Sequence, residues 1–242
     1  MSPTATVSTP VTTWRTRIAA LLITASLPFL LVMVAVRLVM SPLFLHFEYQ
    51  RPGFPADFYG FTTQERMEYA PFAVNYLLNG EEITYLGDLR FPDGTPLYNA
   101  RELHHMRDVK IVTQAAFLTT TIVGILVFVA AVDLWRTNRI AFRMAFFRGS
   151  VFTLTLIASI IILSILSWDV FFTAFHQLFF ASGTWQFAYS DTLIRLFPEQ
   201  FWFDAALVIG TFTALSALLI LYFTLRRGGA ETPAKTLHPT LT

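Results

Sequence analysis

Cysteine is absent from the 242-residue chain. That excludes disulfide bridges, a thiol nucleophile and a cysteine-based metal site, and the chain cannot itself be anchored through a lipidated cysteine. Charge is scarce as well: 14% of residues are Asp, Glu, Lys or Arg, against about 25% in a soluble globular domain. The net charge of +1 gives no reason to invoke a nucleic acid. The sequence holds no G-x-S-x-G, no P-loop and no G-x-G-x-x-G at a strand–helix junction, so serine hydrolysis has no local support.

What the chain has instead is apolar residues, 55% of the total, with a mean hydropathy of +0.55. They concentrate in four runs, about 18–40, 111–132, 151–168 and 202–225, each about as long as a bilayer crossing requires. The first run, "IAALLITASLPFLLVMVAVRLVM", follows Arg15 and Arg17. It is longer than a signal-peptide core and lacks a small-residue cleavage site, so it reads as an uncleaved anchor. Arg37 near its far end is expected to snorkel to the interface. The class is an all-α polytopic membrane protein, with a single four-helix membrane domain over residues 18–225.

Arginine marks three of the helix ends. Arg15 and Arg17 precede the first span, Arg136, Arg139, Arg143 and Arg148 fall between the second and third, and Arg226 and Arg227 follow the fourth. The positive-inside rule puts these ends, and both termini, in the cytoplasm. Residues 41–107 and 169–201 then share the outer face, and each has more acids than bases. The tails 1–17 and 226–242 are expected to be disordered.

The segment 41–107 is too long for a bare turn. "TTQERMEYAPFAVNYLLNG" reads as a helix with Thr62 and Glu65 as a capping box and Gly80 as its stop, kinked or broken at Pro71. "ITYL" is a candidate strand and "FPDGTPLY" carries turn chemistry. The expectation is a small extracytoplasmic α+β cap with a two-stranded element. In "YNARELHHMRDVK", Asn99 and Glu102 form a second capping box, and the helix it starts should run unbroken into the second span. The aromatic segment 169–201 is expected to lie flat on the outer leaflet as an interfacial collar, with Asp191 capping a short helix "TLIRLF".

Few polar residues lie near this outer boundary, and ionisable groups at that depth usually face a cavity or one another. His104, His105 and Asp108 fall within the first turns of one helix, and either histidine is close enough in register for Asp108 to orient it. His176 is embedded in the aromatic run "VFFTAFHQLFF", where a lone imidazole needs a partner. Glu102, Asp191 and Glu199 have a simpler reading as helix caps. A metal site built from these histidines and Asp108 is conceivable, but the spacing does not match a two-histidine zinc helix and a third firm ligand is missing.

Three stretches, "GFTTQERMEYA", "YNARELHHMRDVK" and "FHQLFFASGTWQFAYSDTLIRLFPEQFW", together resemble the family of four-span bacterial membrane proteins that includes the lipoprotein intramolecular transacylase. The resemblance covers most of the chain between the tails. It implies a bacterial cell-membrane enzyme that moves an acyl chain from the glycerol ester of a diacylglyceryl-cysteine lipoprotein to the cysteine α-amine, giving a lyso-form lipoprotein. By position in the pattern, the histidine before Met106, His105, is the reactive one, His104 is an additional neighbour, and His176 is the second histidine. The reaction needs a base, an oxyanion donor and a proton for the leaving alkoxide. His105, His176, Asp108 and His104 are the catalytic candidates. Tyr49, Glu102, Arg195, Asp191 and Trp185 are the substrate or oxyanion candidates. The partners implied are membrane lipid and a lipidated N-terminus, with no cofactor and no metal. Two other readings stand beside it: a non-enzymatic lipid- or partner-binding membrane protein, and a metal-dependent membrane hydrolase.

Overall fold

The structure, a computed structural model, describes residues 13–181 and 183–229. The chain forms α1 (Trp14–Val39), α2 (Pro42–Gln50), α3 (Thr63–Leu78), α4 (Thr84–Gly87), α5 (Ala100–Thr137), α6 (Arg139–Leu166), α7 (Trp168–Phe179), α8 (Thr192–Leu196) and α9 (Glu199–Gly229). Four of these, α1, α5, α6 and α9, are long and apolar enough to cross a membrane. Thr13 caps α1, Trp14–Arg17 already belong to α1 and residues 226–229 to α9; the remainder of the expected tails, 1–12 and 230–242, lies outside the described residues.

In the bundle, α1 packs against α5, α6 and α9, and α6 packs against α9. Its core is narrow: Ala19, Ile23, Val127, Ala130, Leu134 and Ala145. Most apolar side chains of α5 face outward, Leu118, Ile122, Ile125 and Phe128 among them. Lipid tails are as apolar as leucine, so such helices keep their large side chains outside and pack through small residues. Gly149 is one such contact. A Cβ there would come 2.9 Å from Leu27 Cδ2 and 3.1 Å from Leu27 Cβ.

The second core lies beyond one end of the bundle. Leu45 and Tyr49 of α2, Tyr69, Ala73 and Tyr76 of α3, Leu86 of α4, Leu196 of α8 and Phe201 of α9 pack there around Leu97, Tyr98 and Met106. Here the expected α+β cap requires correction: among the described residues it is helical, with no strand and one isolated bridge, Arg90 to Pro96. "ITYL" enters the helical turn α4, which buries Leu86 completely and stacks Tyr85 on Tyr76 at 6.4 Å. The "FPDGTPLY" segment does turn, with Gly94 at φ +85° and Thr95 bonded to Asp93. Pro92 and Pro96 offer no N–H, so no ladder extends from the bridge.

Helix α3 keeps its capping box, Thr62 with Glu65. It also continues through Pro71 to Leu78 instead of breaking, and ends at Asn79 in extended conformation. The structure bears out the second box. Asn99 accepts from the Arg101 and Glu102 amides, Glu102 accepts from Asn99 N, and α5 runs 38 residues without interruption. At about 1.5 Å per residue that is about 57 Å, well beyond the ~30 Å apolar core of a bilayer. Its first three turns, before Ile111, therefore stand outside the spanning segment.

Candidate active site

Two acids lock the start of α5 against the segment leading into α8. Glu102, 1% exposed, accepts the Asn99 amide at 2.7 Å and reaches across to the Leu193 amide at 2.5 Å. Asp191 stands at the N-cap position of α8 but makes no side-chain bond to that helix. Its carboxylate turns the other way, accepting from Asn99 Nδ2 (3.1 Å), Arg101 (2.8 Å) and the Ala188 amide (2.9 Å). The acids thus cross in opposite directions between α5 and residues 188–193. Burial pushes the Glu102 carboxyl above the ordinary range despite its two amide donors.

One turn beyond Glu102, His105 faces the same side and is 7% exposed. Its ring lies edge-on to Phe180 (5.1 Å) and Phe187 (5.3 Å), and stacks at 6.4 Å and 24° on the ring of His176. Its Nδ1 is buried and makes no hydrogen bond within the described protein. Both imidazoles lie outside the spanning segments. Burial, then repulsion from His176, outweighs the attraction of Asp108 and pushes the His105 pKa down to about 4. His105 is therefore neutral at physiological pH.

His176, on α7, stacks on Trp185 at 4.6 Å and sits over Phe172 at 4.1 Å. Its Nδ1 lies 2.8 Å from the Phe172 carbonyl. A carbonyl only accepts, so Nδ1 carries the proton and the neutral ring keeps its lone pair on Nε2. Burial lowers the His176 pKa, partly offset by that carbonyl bond.

His105, His176, Trp185 and Arg195 all line one cavity of about 1220 Å³. Arg195 donates to Asp57 through Nε (3.0 Å) and its terminal nitrogen (2.9 Å), and lies 3.9 Å over Phe61. Burial raises the Asp57 carboxyl, but the Phe61 amide and Arg195 outweigh it and hold it low. Tyr49, Glu102 and Asp191 are not in the lining; the buried Tyr49 hydroxyl donates to the Leu196 carbonyl at 2.8 Å. His104 and Asp108 also stand apart. Their side chains pair with each other at 3.6 Å, and His104 is 59% exposed. Asp108 thus lies beside the outer histidine and makes no hydrogen bond to His105. Among the described residues no group of three His, Asp or Glu side chains converges.

Sequence reasoning missed Arg66, which lines the cavity and is 3% exposed. It donates to the carbonyls of Arg195 (3.0 Å) and Pro55 (2.7 Å), with Phe54 beneath it at 5.2 Å. The signal was present: Arg66 stands on the buried stripe of α3 with Tyr69, Ala70 and Ala73, a spacing that faces a core. Asp57 and Trp168 also belong to the site, and their loop and helix-start positions gave no pattern to find.

Four apolar helices long enough to span a membrane, carrying a helical cap with two imidazoles in an aromatic-walled cavity beside it, define an integral membrane protein. Comparison with known proteins gives the family. A family model described as "Lipoprotein intramolecular transacylase Lit" matches residues 21–202, about three quarters of the chain, and the chain belongs to that family. An uncharacterised protein of Aquifex aeolicus (strain VF5) is 28% identical over 206 residues, covering 85% of this chain and 93% of the relative. Among solved structures, the membrane-integral lipoprotein intramolecular transacylase Lit from Bacillus cereus shares the fold. Its TM-score is 0.75 at 21% identity, over 89% of this chain and 98% of that one. A histidine-to-arginine variant of the same protein matches with a TM-score of 0.70 at 19% identity, over 90% and 95% of the two chains.

Proposed function

We propose that this chain is an intramolecular transacylase of the cell membrane, acting on the N-terminal diacylglyceryl-cysteine of lipoproteins and yielding the lyso form. The observation that carries the reading is the His105–His176 pair, two imidazoles disfavoured as cations and facing one cavity, in a member of this family. Family membership disfavours both a purely lipid- or partner-binding role and a metal-dependent hydrolase.

The chemistry follows from the proton inventory. The cysteine α-amine attacks the glycerol ester carbonyl, the C–N bond forms, the ester C–O bond breaks, and one proton moves from nitrogen to the departing glycerol oxygen. A neutral imidazole performs both halves, as base and then acid. His105 takes that role in this proposal. Protonated at the tetrahedral stage, it is a buried cation, and the developing oxyanion beside it offsets that cost. His176, with its Nε2 free of the backbone, relays or accepts the proton. Trp185 holds the His176 ring, and Arg66, which bonds only carbonyls, lends one wall of the cavity positive charge, while Arg195 is paired with Asp57. The aromatic lining suits acyl chains and excludes water that would hydrolyse the ester. By the arginine distribution, both termini are cytoplasmic and the cavity opens on the outer leaflet, with residues 169–201 as its interfacial rim.

The test is mass spectrometry of a reporter lipoprotein N-terminus from a bacterial host with no other N-acylation. With this protein, the cysteine carries an amide-linked chain and a monoacylglyceryl thioether. With His105→Ala, the amine stays free and the diacylglyceryl group intact. Full conversion by His105→Ala removes His105 from the chemistry.

A further inference from the structure

A second cavity lies at the opposite end of the bundle. It measures about 550 Å³ between α1 and α6, and Arg17, Arg148, Thr16, Thr24 and Asn138 are among its lining. Arg15 on the same first turn of α1 bonds Asp133 near the end of α5. Asp133 follows His105 by 28 residues of one helix, about 42 Å along its axis.

The depth of Arg148 is the unusual feature. Thr24 Oγ1 donates to the Ala145 carbonyl at 3.1 Å, and Leu27 meets Gly149. The two helices therefore run parallel, with Arg148 level with residues 24–27. That is six or more residues past the start of the first apolar run at Ile18, roughly 9 Å into it. Arg148 and Arg17 are both exposed. Neither has an ion-pair partner among the described residues. A cation at this depth is costly unless something of opposite charge meets it. Helical side chains lean toward their own N-terminus, so both arginine heads point to the same arginine-rich end, and both line this cavity. The cavity between them has an apolar wall as well, from Ala20, Leu21 and Met144.

We propose that this cavity is a binding site for the headgroup of an anionic phospholipid in the leaflet at the arginine-rich end. The phosphate is held between Arg17 and Arg148, with the glycerol and upper acyl chain against the apolar wall. Charge complementarity at headgroup depth, between spanning helices, is what such lipids recognise. The cavity opens where lipid is the solvent, and no acyl-transfer residue lies near it, so the site is independent of the transacylase reading.

The purified full chain is incorporated into nanodiscs of equimolar dioleoyl phosphatidylglycerol and dioleoyl phosphatidylcholine. Lipid retained after transfer to detergent is then counted by native mass spectrometry. Phosphatidylglycerol is enriched over its input ratio, and Arg148→Gln and Arg17→Gln each lower that enrichment about fivefold. Arg226→Gln, at the same end but outside the cavity, leaves it unchanged, as does added inorganic phosphate. The proposal is overturned by a wild-type ratio equal to the input, by unaltered enrichment in the two cavity variants, or by equal loss in Arg226→Gln. Displacement of the lipid by inorganic phosphate overturns it too, since the ligand is then a free anion. Melting in detergent checks each variant, and Arg17→Gln, on the exposed first turn of α1, carries the test should Arg148→Gln fail to fold.

Discussion

Replacing Glu102 by alanine strikes the link that aims His105. The carboxylate accepts the Asn99 and Leu193 amides, so its loss opens the α5 capping box and orphans a buried N–H on α8. The box is worth about 1 kcal/mol, and an unsatisfied buried amide costs about 1–3 kcal/mol. Removing a carboxyl that burial itself disfavours returns part of this. The expected net loss is about 1–3 kcal/mol, or at roughly 2–4 °C per kcal/mol for a chain of this size a fall in Tm of about 2–12 °C. Glu102→Gln keeps one acceptor oxygen but turns an NH₂ toward the second amide, so it loses about half as much. Activity should fall further than folding does, because the His105 ring sits one turn along the same helix and meets Phe187 of the clamped segment. The assay pairs thermal unfolding in detergent with the initial rate of N-acylation, measured well below each variant's Tm. Glu102→Ala with unchanged Tm and unchanged rate would refute the clamp.

His104→Ala should leave the N-acylation rate within about twofold of the wild type, because that side chain is solvent-facing and paired with Asp108; a loss matching His105→Ala would reverse the assignment. The His105 imidazole should titrate near pH 4 by NMR of histidine-labelled protein, staying on the order of 95% neutral at pH 5.5. Its folded pKa lies below the ordinary 6.5. The unfolded chain therefore binds the proton first, and stability present above pH 6.5 is lost as pH falls toward 4, by about 3 kcal/mol in full. Titration of His105 at 6.5 in the folded protein would contradict its burial. Gly149→Ala should destabilise by about 1–3 kcal/mol, since the new Cβ meets Leu27 at 2.9 and 3.1 Å. Gly124→Ala, with nothing within 4 Å, should be neutral or stabilising by up to about 1 kcal/mol; equal Tm shifts in the two would undo the close-packing argument.

Local signals in the sequence were reliable where the partner is local. Both capping boxes were legible because Thr62 meets Glu65 and Asn99 meets Glu102 three residues on. The other half of Glu102's role was not, because Leu193 is 91 residues away. Asp191 shows the same limit: its cap position was readable, but its carboxylate answers to Asn99 and Arg101 across the fold. "ITYL" misled because its β-branched and aromatic residues favour a strand, while the cap needed Leu86 inward and had no neighbouring strand to offer. As for the two histidines, residues alone could not separate them. Successive helical positions differ by about 100°, and only the packing of Glu102, His105 and Met106 on one face decides which ring turns inward.

The uninterrupted length of α5 makes the protein sensitive to a dimension of its surroundings. One continuous rod carries His105 and the apolar run that begins about 9 Å below it. The height of the imidazole above the lipid ester plane is therefore set by how the rod seats in the bilayer. Thinning the bilayer tilts the rod, and thickening draws it inward. In the proposed mechanism, chain length and sterol-like stiffeners in the host membrane thereby become determinants of reaction rate without touching a single residue of the cavity.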